Sequence, residues 1–326
     1  MRIIILSLLL AVANTAIAFD QEQIDTFVDD VVARYDLDRS WVSSLLQQAE
    51  RKQSILDAIS RPAERTREWH EYRDLFVTDQ RIAAGQRFWA EHEDTLATVA
   101  EECGVPAEII VAILGVETQY GRQTGGYRVI DALSTLAFAY PPRSDFFRGE
   151  LEQFLLMVQE HDVDPTSAKG SYAGAMGAAQ FISSSYRNYA VDASGDGRID
   201  LWRDWRDVIG SVANYLHTFG WRPDEPITYP VSIEPEQYEA LKTERIELKW
   251  SAAELRARGI DIPVEVADDA EAMVMELITT DGPQHFVGLK NFYVITRYNH
   301  SRMYAMAVHD LGWQIANRRK MARLSD

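Results

Sequence analysis

An uninterrupted apolar run at residues 109–116, with the sequence IIVAILGV, restricts the fold of this chain more than any other feature. A helix that is apolar on every side is buried on every side, so the run predicts a helix inside the protein. Pro106 stands just before it, and a proline suits the first turn of a helix because its missing N–H would have no partner there.

Glu117 ends this run and precedes the polar turn TQYGR at residues 118–122. Burial disfavours a charged carboxylate, and so does the negative end of a helix dipole, so we expect the pKa of Glu117 to be raised. Such a glutamic acid can donate a proton to a glycosidic oxygen near neutral pH. The alternative is that Glu117 only marks the helix end and faces water, which would be preferred for an isolated glutamate.

The 326-residue chain has a formal net charge of −17. This charge argues against a nucleic acid or an anionic membrane surface as partner. The sequence also has no histidine spacing typical of zinc sites, no glycine-rich phosphate loop and no Ser-His-Asp arrangement. Those classes of site are therefore set aside.

Residues 1–18 have the pattern of a secretory signal peptide, with Arg2, an apolar stretch and a small-x-small site at 16–18. The apolar stretch is short for a bilayer span, so an uncleaved anchor is the weaker alternative. We expect a mature chain that begins near Phe19, lies in the periplasm of a Gram-negative bacterium and has no transmembrane anchor. Cys103 is the only cysteine, so no intrachain disulfide can form.

Hydrophobic periodicity predicts a mainly α protein with a small α+β insertion. Residues 19–98 are predicted to form a helical domain, residues 99–222 the core, residues 223–290 a small α+β domain and residues 291–326 a helical return to the core. Within the insertion, strand-like segments lie at 227–233, 246–250 and 272–278, and a helix is expected at 235–241.

Four segments carry a family resemblance: GVETQYGR at 115–122, SYAGAMGAAQF at 171–181, DVIGSVANY at 207–215 and TRYN at 296–299. Their order and spacing resemble the membrane-bound lytic transglycosylase B family of peptidoglycan-cleaving enzymes over nearly the whole mature chain. The resemblance implies a goose-type lysozyme-like helical core, flanked by a helical N-terminal domain and a small β domain. It also implies peptidoglycan glycan strands as substrate and Glu117 as the sole catalytic acid/base.

By the same resemblance, seven further residues would line the glycan groove: Ser171, Met176, Gln180, Tyr215, Tyr298, Asn299 and Tyr304. A glutamine amide can both donate and accept hydrogen bonds, and a tyrosine offers a sugar ring a flat apolar face with a polar tip. Small residues at 171–177 would let a backbone approach a ligand closely. Taken singly, Gln180 could instead be a capping residue and Tyr215 a core aromatic.

Residues 192–200, DASGDGRID, follow the calcium-loop pattern of EF-hands, with oxygen side chains at positions 1, 3 and 5 and glycine at position 6. Position 12 is Arg203, where a glutamate is usual. The resembled family has a lengthened loop closed by a later aspartate, which Asp207 matches, while Asp200 and Asp204 are less favoured as ligands. The alternative is an Asp/Gly-rich turn without metal. The resemblance implies a Ca²⁺ site made of Asp192, Ser194, Asp196, the Arg198 carbonyl and Asp207.

Ordinary glycosidases use two carboxylates, whereas the Glu117 segment shows only one. The resemblance implies that Glu117 protonates the oxygen between N-acetylmuramic acid and N-acetylglucosamine. The muramyl C6 hydroxyl would then attack C1 and leave a 1,6-anhydro end. Two alternatives stay open: a hydrolytic muramidase in which Asp131 or Asp145 directs water, and a non-catalytic peptidoglycan-binding protein. The sequence identifies no protein partner.

Overall fold

The computed structural model describes residues 19–61, 67–161 and 163–325, except for the side chain of residue 325, so the predicted signal peptide lies outside the described residues. In this part of the chain, no helix is long and apolar enough to cross a membrane. The helices are α1 (Gln21–Tyr35), α2 (Arg39–Gln47), α3 (Gln53–Ile59), α4 (Trp69–Phe76), α5 (Asp79–Glu91), α6 (Glu93–Cys103), α7 (Ala107–Thr118), α8 (Val129–Ala139), a 3-10 turn (Pro141–Arg143), α9 (Ser144–His161), α10 (Ser183–Tyr189), α11 (Trp205–Thr218), α12 (Pro235–Leu241), α13 (Ala252–Ala257), α14 (Lys290–Tyr298) and α15 (Arg302–Ser325). The strands are β1 (Tyr127–Arg128), β2 (Lys169–Gly170), β3 (Thr228–Val231), β4 (Trp250–Ser251), β5 (Glu271–Thr279) and β6 (Gly282–Gly288).

Helix α7 is the buried helix that the apolar run predicts. The side chains of residues 109–114 are at most 2% exposed, and the helix contacts α5, α6, α11 and α15. Because it ends at Thr118, Glu117 lies in its last turn, at the edge of the core.

The N-terminal helices pack directly on the core helices. Helix α1 begins after Asp20, whose side chain accepts the Glu22 N–H, and its Arg34 forms an ion pair with Glu152 of α9. Helices α4 and α5 contact α15. The predicted boundary at 98/99 falls inside α6, and the division of the chain into domains stays a prediction.

The second half of the chain contains a four-stranded antiparallel sheet in the order β3-β6-β5-β4. It has its own small core, which includes Leu241, Leu255 and Val287. The strand expected at 246–250 is wrong except for Trp250. The reason lies just before it, where the backbone oxygens of Thr243 and Arg245 accept hydrogen bonds from the Arg302 guanidinium, which ties this segment to α15.

Strand β6 is not among the predicted strands. Gly282 and Pro283 begin this strand, and polar residues follow, so it lacks the hydrophobic alternation that identifies a strand. Pairing with β5 on one side and β3 on the other supplies the hydrogen bonds that hold it. The predicted fold class, mainly α with a small α+β insertion, is confirmed.

Candidate active site

The chain leaves α7 through a strained turn directly after Glu117. Gln119, Tyr120 and Gly121 all have left-handed backbones, with φ of 50°, 59° and 79°. Two of them are not glycines, so the turn costs free energy that the surrounding structure must offset, as is common at active sites. The Gln119 and Tyr120 N–H groups donate to the last carbonyls of the helix, which ends it there.

Tyr120 holds this turn against α5. Its hydroxyl donates to the Arg81 carbonyl over 3.0 Å, and burial raises its pKa, so it stays a donor. The phenol lies where only glycines leave room, because a Cβ on Gly85 or Gly115 would stand 2.5 or 2.6 Å from its oxygen. Helices α5 and α7 therefore fix the turn together.

Three consecutive backbone carbonyls in the 171–181 segment are held by three different side chains. The Gln180 amide donates to the Gly177 oxygen over 3.0 Å, and the Thr118 hydroxyl donates to the Ala178 oxygen over 3.0 Å. The Tyr298 hydroxyl donates to the Ala179 oxygen over 2.7 Å. The loop is thereby locked to α7 and α14.

Thr118 is a residue that the sequence analysis did not single out. It is fully buried, and its hydroxyl also accepts the Gly121 N–H over 3.0 Å. A threonine directly after an apolar run could have suggested this role, because a buried hydroxyl needs a hydrogen-bond partner.

Small residues in this segment serve close packing of the protein on itself. A Cβ on Gly177 would lie 2.2 Å from the Leu201 carbonyl oxygen, which also accepts the Ala178 N–H over 3.0 Å. The Ser171 hydroxyl accepts the N–H groups of Ala173 and Ala175 and closes the turn between them. The close approach that the glycines allow is therefore between two backbone segments of the chain.

Glu117 is oriented by a phenol from α15. The Tyr304 hydroxyl donates to Oε1 of Glu117 over 2.6 Å, and Tyr304 is only 2% exposed. Burial, and then the negative charge of Glu117, raise the pKa of both Tyr304 and Tyr298. Both phenols therefore stay protonated, and Tyr304 acts as a donor to the carboxylate.

Three of the residues predicted to line the groove, Met176, Tyr215 and Tyr304, are buried in the core. Met176 has no exposed surface, and Tyr215 is 7% exposed with its hydroxyl donating to the Arg297 carbonyl over 2.6 Å. The Tyr215 ring packs on Tyr298 at 4.8 Å between centroids. The hydroxyls of Tyr215, Tyr298 and Tyr304 each donate to a protein group, and their place in the glycan groove stays a prediction.

Gln180 and Asn299 offer neutral polar groups near this turn. Gln180 has a left-handed backbone with φ of 52°, and its amide nitrogen donates to the carbonyls of Thr124 and Gly177. Among the described residues, nothing donates to its side-chain oxygen, which leaves an acceptor for a ligand. Asn299 is exposed where α14 ends, next to Tyr298.

Two buried carboxylates of the core are fully engaged in the structure. Both oxygens of Asp131 accept from the Arg128 guanidinium at 2.8 and 2.7 Å, and one also accepts the Glu50 N–H. Both oxygens of Glu150 accept from Ser184, and burial raises the pKa of Glu150. Each oxygen of Asp131 is therefore already bonded to the protein, whereas Asp145 lies exposed at the start of α9.

The loop at 192–207 is closed by its own carboxylates. Asp192 accepts the backbone N–H groups of Gly195, Asp196 and Gly197, and together with the Ser194 hydroxyl these donors lower its pKa, although burial acts in the opposite direction. Asp207 accepts the N–H of Ser194 on one oxygen and the N–H of Asp200 on the other, each at 2.9 Å. These contacts bring the two ends of the loop together.

The described residues contain no group of three or more His, Cys, Asp or Glu side chains arranged to hold a metal. The donor set nevertheless consists only of oxygens, which is what Ca²⁺ requires. Asp207 is 1% exposed, and burial, followed by the charges of Asp204 and Asp192, raises its pKa. A buried carboxylate with two acidic neighbours is suited to a cation, so the residues fit the ion.

Asp200 and Asp204, the less favoured ligands, have other hydrogen-bond partners. Asp200 accepts the N–H groups of Trp202 and Arg203. Asp204 caps α11 by accepting the Arg206 N–H. Their carboxylates stabilise the turn that leads into this helix.

The model of the family described as the transglycosylase SLT domain matches residues 19–313. The chain belongs to this family. The resemblance indicated by the four motifs is thereby confirmed. One relative is the membrane-bound lytic murein transglycosylase B of Escherichia coli (strain K12). It is 43% identical over 300 residues, which cover 89% of this chain and 81% of the relative.

Solved structures of SLT relatives have the same fold. The soluble lytic transglycosylase SltB1 from Pseudomonas aeruginosa is 51% identical with a TM-score of 0.87, covering 91% of this chain and 99% of that one. The Escherichia coli lytic transglycosylase Slt35 in complex with calcium is 41% identical with a TM-score of 0.82, covering 91% and 93%. SltB3 from Pseudomonas aeruginosa in complex with NAG-NAM-pentapeptide is 30% identical with a TM-score of 0.79, covering 90% and 78%. The lysozyme-like fold expected for this chain is confirmed.

Proposed function

We propose that this protein is a lytic transglycosylase that cleaves the β-1,4 bond between N-acetylmuramic acid and N-acetylglucosamine in peptidoglycan and leaves 1,6-anhydromuramyl ends. The observation that carries the proposal is Glu117, which ends a buried helix and is held by the protonated phenol of Tyr304. Family membership and the names of the relatives, which are lytic transglycosylases, support it.

Glu117 acts twice in the proposed reaction. Its proton goes to the glycosidic oxygen as the bond from that oxygen to the muramyl C1 breaks. The resulting carboxylate takes the proton of the muramyl C6 hydroxyl as its oxygen forms a bond to C1. Atoms and protons balance without water, and Glu117 ends in its starting state.

The predicted substrate contacts are proposed in two groups. Ser171, Gln180 and Asn299 offer neutral polar groups, and the side-chain oxygen of Gln180 is placed to accept a hydrogen bond from the sugar. The tyrosines at 215, 298 and 304, together with Met176, mainly support the site from the core, where they hold the loop and the Glu117 carboxylate in position.

A structural Ca²⁺ is part of the same proposal. Asp192, Ser194, Asp196, the Arg198 carbonyl and Asp207 would hold it. The ion would bind the two ends of the 192–207 loop and neutralise Asp207. Support comes from the all-oxygen donor set and from the structure of the Escherichia coli relative in complex with calcium. A periplasmic location, reached through the signal peptide at residues 1–18, is proposed because the substrate is there.

The products of digestion test the reaction. Purified sacculi are digested in ¹⁸O water, and the muropeptides are analysed by mass spectrometry. We expect every new muramyl end to be a 1,6-anhydro sugar without ¹⁸O. Heavy oxygen at the new C1 would instead show a hydrolytic muramidase, and no cleavage at all would favour a non-catalytic wall-binding protein.

The Glu117→Gln variant is the control for the assignment of the acid. The amide is nearly the same size but has no proton to deliver, so we expect turnover to fall by at least about 10²–10⁴-fold. Retention of the melting temperature and of binding to sacculi would show that only the chemistry is lost.

A further inference from the structure

A cavity of about 520 Å³ lies between the end of α9 and the turn that follows the 192–200 segment. No residue assigned above to catalysis or to the glycan lines it. Its walls carry an aromatic ring and several charged groups, of which the main ones are His161, Asp164, Lys169, Asp200, Trp202 and Arg203.

Trp202 is held rigidly in the wall of this cavity. Its indole N–H donates to the Lys169 carbonyl over 2.8 Å, and its backbone N–H donates to Asp200 over 2.8 Å. The side chain is half-buried, so part of the ring stays available. A fixed indole is a common anchor in binding sites, because it buries a large apolar area at low entropic cost.

The two aspartates of the cavity accept hydrogen bonds from the protein, whereas two of its cations have no ion-pair partner among the described residues. Asp164 accepts from the backbone and the hydroxyl of Thr166, and Asp200 accepts two backbone N–H groups. Lys169 and Arg203 are exposed, and neither has an ion-pair partner within the described ranges. Two free cations beside a fixed ring favour an anionic ligand of the carboxylate class.

One wall of the cavity belongs to the same backbone segment as the loop of the proposed glycan site. Lys169 is in β2, two residues before Ser171, which places the two about 7 Å apart along an extended chain. Leu201, next to Trp202, accepts the Ala178 N–H. The cavity therefore lies beside the backbone that continues into the glycan loop.

We propose that this cavity binds free carboxylates of the peptide stem carried by N-acetylmuramic acid, through Lys169 and Arg203 with Trp202 against the stem. This inference rests on the proposed function, since the stem belongs to that substrate. A stem of four or five residues spans at most roughly 13–18 Å, enough to extend from the glycan loop to the cavity. Occupation of the cavity makes the enzyme prefer stem-bearing glycan over bare glycan.

The first experiment compares two substrates with the double variant Lys169→Ala/Arg203→Ala. Stem-bearing strands and strands freed of stems by an amidase are digested in parallel. The KM for stem-bearing strands should rise roughly fivefold, as expected for two exposed charge contacts, while kcat stays unchanged. The KM for bare strands should not change.

The matched control is Lys249→Ala/Lys320→Ala, which removes the same charge from exposed positions outside the cavity. It should leave the KM for both substrates unchanged. A general effect of net charge would raise KM in the control as well and would overturn the proposal. An equal rise in KM for both substrates with the cavity variant would also overturn it, because the cavity would then hold sugar.

Direct binding separates this inference from the proposed function. Isolated stem tetrapeptide is titrated into the Glu117→Gln protein by calorimetry, with and without the two cavity substitutions. Binding that weakens with the substitutions supports the cavity, even if the wild-type protein cleaves neither substrate and the proposed function fails. Binding that is absent, or indifferent to the substitutions, overturns the inference.

Discussion

At the residue scale, the contact between the Tyr304 hydroxyl and Glu117 decides how the carboxyl group works. The 2.6 Å hydrogen bond fixes one carboxylate oxygen, and burial keeps the phenol protonated over the whole neutral range. A donor aimed at the carboxylate favours its charged form. The contact therefore stabilises the charged form of Glu117, which burial disfavours. This balance suits a group that must both release and recover a proton.

Removing this donor should change the pH dependence of the enzyme. In Tyr304→Phe the charged form of Glu117 loses a hydrogen bond, so the carboxyl group keeps its proton to higher pH. Because the protonated form starts the reaction, the alkaline limb of the kcat/KM profile should move to higher pH. We also expect kcat to fall by about 10–100-fold, because the carboxyl group is less well oriented.

The control for this variant is Tyr238→Phe, which removes a phenol from α12. It should leave both the pH profile and kcat unchanged. A Tyr304→Phe enzyme with the wild-type alkaline limb would contradict the role assigned to the phenol.

At the element scale, the end of α7 depends on two glycines that make room for Tyr120. A helical glycine usually destabilises a helix by about 1 kcal/mol relative to alanine, so its presence needs a reason. At Gly115 the reason is the Tyr120 hydroxyl, 2.6 Å from where a Cβ would stand. The backbone of the proposed catalytic helix is thus shaped to hold the turn that follows it.

Gly115→Ala and Gly149→Ala form a matched pair that tests this account. Alanine at 115 must displace Tyr120, so we expect a loss of about 1–3 kcal/mol in the free energy of unfolding and a lower kcat. Alanine at 149, within α9, meets no atom within 4 Å and should stabilise the protein by up to about 1 kcal/mol. Urea melts and turnover measure both, and a stabilised, fully active Gly115→Ala protein would refute the account.

The same elements show what the sequence can reveal. The buried helix and the placement of Glu117 at its end are local features, so the apolar run predicts them. The contacts of Thr118 and Tyr298 with the 177–180 loop join residues 60 and 119 positions apart, and hydroxyl-to-carbonyl bonds leave no periodic pattern. Burial of Met176 and Tyr215 likewise depends on packing between elements, which motif matching alone does not show.

At the scale of the whole molecule, net charge sets the conditions for binding. The chain carries −17, and peptidoglycan stems are also acidic, so long-range attraction does not bring the two together. Affinity for the glycan must come from short-range hydrogen bonds and ring contacts. In the binding that we propose, Lys169 and Arg203 would attract the acidic stem only at short range.

The proposed calcium loop couples this charge to global stability. The loop connects α10 to α11, and α11 packs against α6, α7 and α14, so ordering it should stabilise the core. An ion that binds only the folded state stabilises it by about 2.7 kcal/mol at a hundredfold excess over Kd. For a chain of this size, the melting temperature should then rise on the order of 5 °C between chelator and Ca²⁺.

Asp196→Ala should remove this calcium-dependent rise in the melting temperature. Asp196 is exposed and its carboxylate accepts the backbone N–H of Arg198, so the variant should fold normally in chelator. Asp261→Ala changes an exposed aspartate far along the chain from the loop; it should keep the full rise and excludes a general charge effect. Identical melting temperatures of the wild-type protein in excess Ca²⁺ and in chelator would mean that the 192–207 loop is held by its own hydrogen bonds alone, as the contacts of Asp192 and Asp207 already allow.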